Sequence, residues 1–266
     1  MKILVLGDVM GKIGRRAVRQ VLPDLKAELK PDLTIANAEN AAHGKGITPK
    51  TLRELMEAGV EFMTSGNHVW DRPEAFDCFQ DPELSGKIIR PANWPGDLPG
   101  QGAKMLTVGT KNVLVVNLLG RVFGKNLVDD PFRAFDDLLK TALTPKPDLV
   151  LVDFHAEATS EKQAFGWHAA GRAAAVWGTH THVPTADARL LADSGTAYIT
   201  DVGMCGYRDG IIGVSRETAL PHYYRSLPMR VEVPEAGEAT VNAIVIETDS
   251  RGQARSITQI IRNLTI

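Results

Sequence analysis

Short apolar runs that end in polar or ionisable residues recur along this chain. Residues 2–8 read Lys-Ile-Leu-Val-Leu-Gly-Asp, a pattern typical of a parallel strand that is buried on both faces and has a carboxylate at its C-terminal end. Comparable strands are predicted at 33–37, 61–64, 148–154 and 173–177. Because parallel sheets place their chemistry at the carboxyl ends of the strands, the residues that follow these runs are the first candidates for function.

Other segments between the strands have helical character. They lie at 15–29, 49–58, 71–79, 132–143 and 160–169. Pro23 is expected to kink the first helix. Thr48 is predicted to cap the second helix, because a threonine followed by a proline is typical of a helix start.

The middle and the end of the chain have a different pattern. Residues 103–108 and 112–119 predict an antiparallel hairpin, and the proline-rich segment 88–101 predicts an irregular crossing loop. Residues 201–206 predict a glycine-rich loop that lies over the site. We expect one domain spanning 1–266, with two sheets packed face to face and helices outside. Short strands are predicted at 197–200, 229–233, 242–247 and 257–261.

The composition narrows the possible classes of protein. Apolar residues make up 44% of the chain, which is enough for a large core. With 30 basic residues against 32 acidic ones, no broad surface that binds nucleic acid or a membrane is predicted. Two cysteines are too few for a disulfide framework or a thiolate metal site. The sequence contains neither an apolar run long enough for a membrane span nor a leader-like start, so a cytoplasmic protein is predicted.

Metal-ligand side chains follow five of the predicted strands. His180 and His182 stand two residues apart, a spacing that suits either metal ions or a polar turn. The other strand ends favour metal, because oxygen and imidazole ligands without cysteine suit Mn, Fe or Zn. These ligands are too many for one ion and suit two. The candidate residues are Asp8, Glu39, Asn40, Asn67, His68, His155, His180 and His182.

The order of these motifs resembles that of the calcineurin-like metallophosphoesterases. The motifs are Gly7-Asp8, Glu39-Asn40, Gly66-Asn67-His68, Phe154-His155 and Thr179-His180-Thr181-His182. Residues 38–46 together with 66–71 look like the bacterial YmdB branch, and the resemblance covers essentially the whole chain. It implies a four-layer α/β/β/α sandwich of two mixed sheets flanked by helices, a dinuclear metal centre, and hydrolysis of 2′,3′-cyclic nucleotides.

The resemblance also implies a role for each candidate residue. Asp8 and His182 would bind the first metal, Glu39 would bridge both, Asn67, His155 and His180 would bind the second, and His68 would be the general acid.

Two positions depart from the pattern of the superfamily. Met10 stands where most members have a histidine, and a thioether is a poor ligand for a hard cation. The amide of Asn40 is therefore our candidate for the remaining ligand of the first metal. Glu39 stands where an aspartate is usual, so the spacing of the metals can differ from the common value of about 3.5–4 Å.

The expected mechanism is in-line attack on phosphorus by a hydroxide that bridges two ions, Fe or Mn, while His68 protonates the leaving ribose oxygen. The expected substrate is a cyclic nucleotide or the 2′,3′-cyclic phosphate end of an RNA. Little base preference is expected, because no aromatic cluster lies near the motifs and Trp70, the nearest ring, also reads as a packing residue.

Two other functions stay open, as does a homo-oligomeric state. One is phosphomonoesterase or phosphoprotein phosphatase activity, and the other is a regulatory, RNA-associated scaffold with structural metals. His68 favours the enzyme, because a structural site gains nothing from an unligated imidazole. His43 is predicted to be a surface residue rather than a phosphate contact, and His168 and His222 are predicted to be structural.

Overall fold

Two six-stranded sheets pack face to face at the centre of the computed structural model, which describes residues 1–141, 145–225 and 230–266. The strands are β1 (Lys2–Val9), β2 (Leu33–Asn37), β3 (Phe62–Thr64), β4 (Ala103–Val108), β5 (Lys111–Leu119), β6 (Leu149–His155), β7 (Ala175–Thr179), β8 (Arg189–Leu191), β9 (Thr196–Ile199), β10 (Met204–Tyr207), β11 (Glu238–Thr248) and β12 (Ala254–Thr265). The helices are α1 (Gly11–Leu29), α2 (Pro49–Glu57), α3 (Ala75–Gln80), α4 (Pro131–Lys140), α5 (Thr159–Ala169) and α6 (Arg216–Arg225).

Both sheets are mixed. The first has the strand order β12-β11-β10-β1-β2-β3 and the second β4-β5-β6-β7-β9-β8. Helices α1 to α3 cover the outer face of the first sheet, and α4 and α5 cover that of the second. The predicted class, two mixed sheets flanked by helices, is confirmed.

Strand β1 illustrates why an unbroken apolar run becomes a central strand. Leu4 and Leu6 lie in the core beneath the helices, whereas Ile3 and Val5 lie in the core between the sheets. Successive side chains of a strand point to opposite faces, so an unbroken apolar run buries both. Because β1 pairs in parallel with β2 and β10, its Asp8 reaches the carboxyl edge of the sheet.

Local signals account for some element boundaries. The Thr48 side chain accepts a hydrogen bond from Thr51 N at 3.3 Å, so the predicted cap of α2 is confirmed. Helix α1 begins earlier than predicted and contains Pro23. Helix α3 is shorter than predicted, and the predicted end of α4 at residue 143 lies outside the described residues.

Three predictions for the C-terminal half differ from the structure. Residues 230–233 form no strand, and residue 229 lies outside the described residues. Residues 204–206 belong to β10, which pairs with both β1 and β11, so the predicted loop is reduced to 201–203. The pattern also does not predict β8 or α6, and Pro221 inside α6 argues against a helix there.

None of the helices in the described parts of the chain is both long enough and apolar enough to span a membrane.

Candidate metal centre

The carboxyl ends of strands from both sheets meet at one place. Asp8 is the penultimate residue of β1, His155 ends β6, and the double-histidine turn follows β7. Glu39 with Asn40 follows β2, and Asn67 follows β3. Parallel pairing within each sheet brings these ends to one edge, so residues distant in sequence become neighbours.

The Nε2 atom of His155 is the point where several of these side chains converge. It lies 2.9 Å from Asn67 Oδ1, 3.0 Å from Glu39 Oε1 and 3.1 Å from His180 Nδ1. Among the residues that the structure describes, Glu39, His155 and His180 form a group whose ligand atoms all lie within 4.8 Å of one another. Four potential ligand atoms therefore surround one small volume.

Each of the three imidazoles has one ring nitrogen held by the protein. The partners are Thr179 Oγ1 at 2.8 Å for His155 Nδ1, Glu157 Oε2 at 2.9 Å for His180 Nε2, and Ile212 O at 2.8 Å for His182 Nδ1. Carbonyl and carboxylate oxygens only accept, and Thr179 Oγ1 already donates to Asp153, so the held nitrogens carry the protons. The other nitrogen of each ring is then available as a metal ligand.

Asn40 and His182 form a second part of the site. Asn40 Oδ1 lies 3.3 Å from His182 Nε2, while the Asn40 amide donates to Gly44 O at 3.0 Å. The amide oxygen is thereby turned towards the imidazole. Met10 packs in an apolar cluster with Val214 and Ala219.

The buried carboxylates carry oxygen atoms that suit a cation. Asp8 Oδ1 and Glu39 Oε1 are buried and make no hydrogen bond with any described residue. Both are in ion-pair contact with His155, at 3.8 Å for Asp8 and 3.0 Å for Glu39. Leaving a buried carboxylate oxygen without a partner is costly. Hard oxygen atoms beside imidazoles are the ligand set of first-row transition metals, so these residues fit a metal site.

The pKa shifts in the site also indicate that its buried carboxylates favour a positive charge beside them. Burial opposes ionisation of Glu39, but His155 lowers its pKa to about 2. Burial opposes the charge of His155 too, yet Glu39 raises that pKa to about 9. Burial raises the pKa of Asp8 to about 7, whereas burial and then the charge of His155 lower that of His180 to about 3. The carboxylates thus stabilise a positive charge where His155 Nε2 lies.

The double-histidine turn has an unusual backbone. His180 has a φ of 101° and His182 a φ of 66°, both in the left-handed region that side chains other than glycine rarely adopt. The backbone N–H of His180 donates to Asp8 Oδ2 at 3.1 Å. Backbone strain of this kind clusters at functional sites, where the surrounding structure holds it.

A buried ion pair anchors this turn. Lys162 Nζ lies 2.6 Å from Asp201 Oδ2 and donates to Thr179 O at 2.7 Å. Asp201 Oδ2 also accepts from Thr181 N at 3.1 Å. Sequence reasoning missed this pair, because Lys162 reads as an ordinary helix residue and its partner is distant in the chain.

A polar network beneath His155 was also missed. Asp153 accepts hydrogen bonds from Asn37 Nδ2 at 3.1 Å and from Thr179 Oγ1 at 2.7 Å, and burial raises its pKa. Through Thr179 this network orients the His155 ring. A charged residue inside an apolar strand is the signal that identifies it.

Gly66 is required by the crowding of the site. A Cβ atom at this position would lie 2.4 Å from Glu39 Oε2 and from His155 Nε2. Any side chain here would displace two candidate ligands.

His68 lies beside the centre rather than in it. Its backbone N–H donates to Glu39 Oε2 at 2.9 Å, and its Nδ1 lies 2.8 Å from Asp71 Oδ2. The side chain is 25% exposed and lines the adjoining clefts. Sequence reasoning missed Asp71, which holds Nδ1 and leaves Nε2 available to a ligand.

Two clefts open onto the site, one of about 400 Å³ and one of about 270 Å³. His68, Glu157 and His180 line both. The larger cleft also contacts Asn40 and His182. It is within the size range of small-molecule sites.

The other histidines differ in position. His43 is exposed, and His168 Nε2 lies 2.9 Å from Asp136 Oδ1 at the α5 surface; neither residue lines the two clefts. His222, predicted to be structural, lies in the wall of the larger cleft.

The family model described as YmdB-like protein matches residues 4–260. This chain belongs to the YmdB-like family. A relative from Bacillus subtilis (strain 168), named 2′,3′-cyclic-nucleotide 2′-phosphodiesterase, is 48% identical over 251 residues, which cover 94% of this chain and 92% of the relative. A relative from Mycoplasma pneumoniae, named putative phosphatase/phosphodiesterase, is 38% identical over 94% of this chain and 88% of its own. The prediction of an enzyme is confirmed by these relatives.

Solved structures of similar proteins have the same architecture. A hypothetical protein from Thermus thermophilus has a TM-score of 0.91 and 42% identity, covering 99% of both chains. A protein described as a novel phosphatase from Mycoplasma pneumoniae has a TM-score of 0.90 and 36% identity over 99% of this chain and 93% of its own. A putative 5′-nucleotidase from Staphylococcus aureus, 15% identical with a TM-score of 0.57 over 100% of this chain and 54% of its own, shares the fold alone. The predicted metallophosphoesterase resemblance is confirmed.

Proposed function

We propose that this YmdB-like enzyme hydrolyses 2′,3′-cyclic nucleotides at a centre of two transition-metal ions, Fe or Mn. The convergence on His155 Nε2 of ligand atoms from Glu39, Asn67 and His180 is the observation that carries the proposal. The 48% identical relative from Bacillus subtilis supports the substrate class by its name.

The residues divide into two ligand groups that share Glu39. Asp8, Asn40 and His182 would hold the first ion, and Asn67, His155 and His180 the second. The Asn40 to His182 contact supports the first group, and the contacts of His155 Nε2 support the second. Ions held there supply Lewis-acid stabilisation of the phosphoryl oxygens and an activated water for in-line attack.

His68 would complete the reaction as general acid. As the bond between phosphorus and the ribose oxygen breaks, that oxygen would take a proton from Nε2 of the His68 imidazolium, which leaves a neutral ring with its proton on Nδ1 beside Asp71. Asp71, 2.8 Å from Nδ1, orients the ring, and the His68 residue lines both clefts. The backbone N–H of His68 meanwhile donates to Glu39, which ties the acid to the ligand shell.

A substrate panel tests the proposed function. We expect 2′,3′-cyclic AMP, and an RNA ending in a 2′,3′-cyclic phosphate, to be hydrolysed faster than 3′,5′-cyclic AMP or an aryl phosphomonoester. The reason is that a five-membered cyclic phosphodiester is strained and compact. Initial rates under Mn, with metal content measured on the same sample, decide the point. A preference for the monoester or the 3′,5′-cyclic ring contradicts the substrate, and full metal content without turnover favours the scaffold alternative.

Variants at Asn40 and Met10 test the ligands proposed for the first ion. Asn40→Ala should weaken one ion selectively, whereas Met10→Leu should leave both, because an amide oxygen suits Mn or Fe and a thioether does not. Elemental analysis after dialysis against graded metal concentrations measures both variants. If Met10→Leu loses an ion, or Asn40→Ala loses neither, the assignment of Asn40 as the remaining ligand of the first metal is wrong.

A further inference from the structure

The larger cleft has a polar part and an apolar part. The polar part is the candidate metal centre, represented by Glu39, Asn40 and His182. The apolar part is formed by Met10, Ile212, Val214, Ala219, Tyr223 and Val231. Met10, Val214 and Ala219 are buried in one cluster, so the apolar part has a packed floor.

The other three side chains of the apolar part are largely apolar and yet exposed. Tyr223 is 66% exposed, Ile212 50% and Val231 41%. Scattered exposed apolar residues are common, but these three line one cleft beside a polar centre. An apolar surface in a concave site, next to a few convergent polar groups, is typical of a ligand site.

Ile212 has a second unusual feature. Its φ is 45°, a conformation that is a genuine outlier for a β-branched residue. The carbonyl of the same residue accepts the hydrogen bond from His182 Nδ1. One strained residue therefore orients a candidate ligand and presents an apolar side chain to the cleft, as expected where strain serves a site.

We propose that this apolar part binds the nucleobase of the substrate, with the heterocycle lying against the Tyr223 ring and the Ile212 side chain. The inference rests on the proposed function, which places the phosphate at the metal centre. Every nucleobase has a flat face that stacks on an aromatic ring, so such a platform raises affinity without selecting one base. The sequence prediction found no aromatic cluster near the motifs and named Trp70 as the nearest ring, because Tyr223 belongs to α6, far along the chain.

Two other rings near the site are less suitable. Trp70 packs against Phe76 and Phe79, with ring centroids 5.0 and 5.3 Å apart. Phe123 is 83% exposed in the smaller cleft, which Asn40 and His182 do not line. Phe123 is therefore the alternative platform that the experiment must distinguish.

The test compares a nucleotide with a cyclic phosphate that has no base. The metal-loaded enzyme is assayed with 2′,3′-cyclic AMP and with ethylene phosphate, the five-membered cyclic diester without ribose or base. In Tyr223→Ala the ratio of kcat/KM for the nucleotide to that for ethylene phosphate should fall roughly 5- to 150-fold, the range for loss of one base stack. Tyr223→Phe should restore the ratio, because the ring is retained.

Tyr224→Ala is the matched control. Tyr224 is the next residue of α6 and is 76% exposed, but it does not line the cleft. Its ratio should equal that of the wild type, and thermal unfolding should show both alanine variants folded. An unchanged ratio in Tyr223→Ala, with or without equal losses on the two substrates, would overturn the inference; equal losses would mean that the residue only shapes the site. A fall in the ratio in Phe123→Ala instead would also overturn it.

A binding measurement separates this inference from the proposed function. Calorimetry should show that Tyr223→Ala weakens binding of 3′-AMP roughly 5- to 150-fold more than binding of inorganic phosphate. If wild type hydrolyses neither cyclic phosphate but binds 3′-AMP through Tyr223, the proposed reaction fails and the base site stands. If wild type and Tyr223→Ala bind 3′-AMP equally well, the base site fails whatever the activity.

Discussion

His68→Ala should lower kcat on 2′,3′-cyclic AMP by roughly 10²–10⁴-fold, the effect of losing one general acid, with metal content near that of the wild type. The reason is geometric. The His68 side chain is held by Asp71 and lines the clefts, and its link to Glu39 is a backbone N–H that alanine retains. Parallel measurements of kcat and bound metal test both parts of the expectation.

The leaving group sharpens this experiment. A diester of p-nitrophenol releases an anion that needs no protonation, so His68→Ala should impair its hydrolysis much less than that of 2′,3′-cyclic AMP. The exposed His43, replaced by alanine, is a matched control and should behave as wild type. Equal losses on both substrates, or stoichiometric loss of metal, would show that His68 is not the acid.

Glu39→Ala should abolish detectable activity and weaken both metals together. Glu39 Oε1 lies 3.0 Å from His155 Nε2, whereas Oε2 accepts the His68 N–H, so the carboxylate spans the site. A shared carboxylate holds two ions and partly neutralises their charge, and its loss therefore affects both. Metal titration followed by elemental analysis measures the two occupancies.

Metal retention in Glu39→Ala is compared with that in three other variants. Glu39→Gln retains the shape but not the charge and should also lose both ions. Glu39→Asp restores the usual carboxylate of the superfamily but is one methylene shorter, so it tests whether the longer side chain sets the metal spacing. Glu157→Ala removes an exposed carboxylate that holds His180 Nε2 and is not a proposed ligand, so it should retain both ions more tightly than Glu39→Ala does. One ion kept at full occupancy in Glu39→Ala would identify Glu39 as a terminal ligand.

Much of the fold follows from local pattern. The run at residues 2–8 predicts β1 because a short apolar run without alternation, closing on Gly-Asp, is typical of a strand buried on both faces. The hairpin of β4 and β5 and the cap at Thr48 are equally local signals, and all are confirmed. β10 is different, since its short glycine-containing segment is a strand only because β1 and β11 pair with it.

The sequence by itself determined which residue types stand at the strand ends, from Asp8 to His182, because their positions follow from short runs read one at a time. Only the tertiary structure decided which nitrogen of each histidine faces the centre, since Thr179, Glu157 and Ile212 hold the other one. It also decided that Asp71 supports His68 and that Tyr223 enters the cleft. Such contacts join segments that are separated along the chain or meet only through the turn geometry, and hydrophobic periodicity carries no information about them.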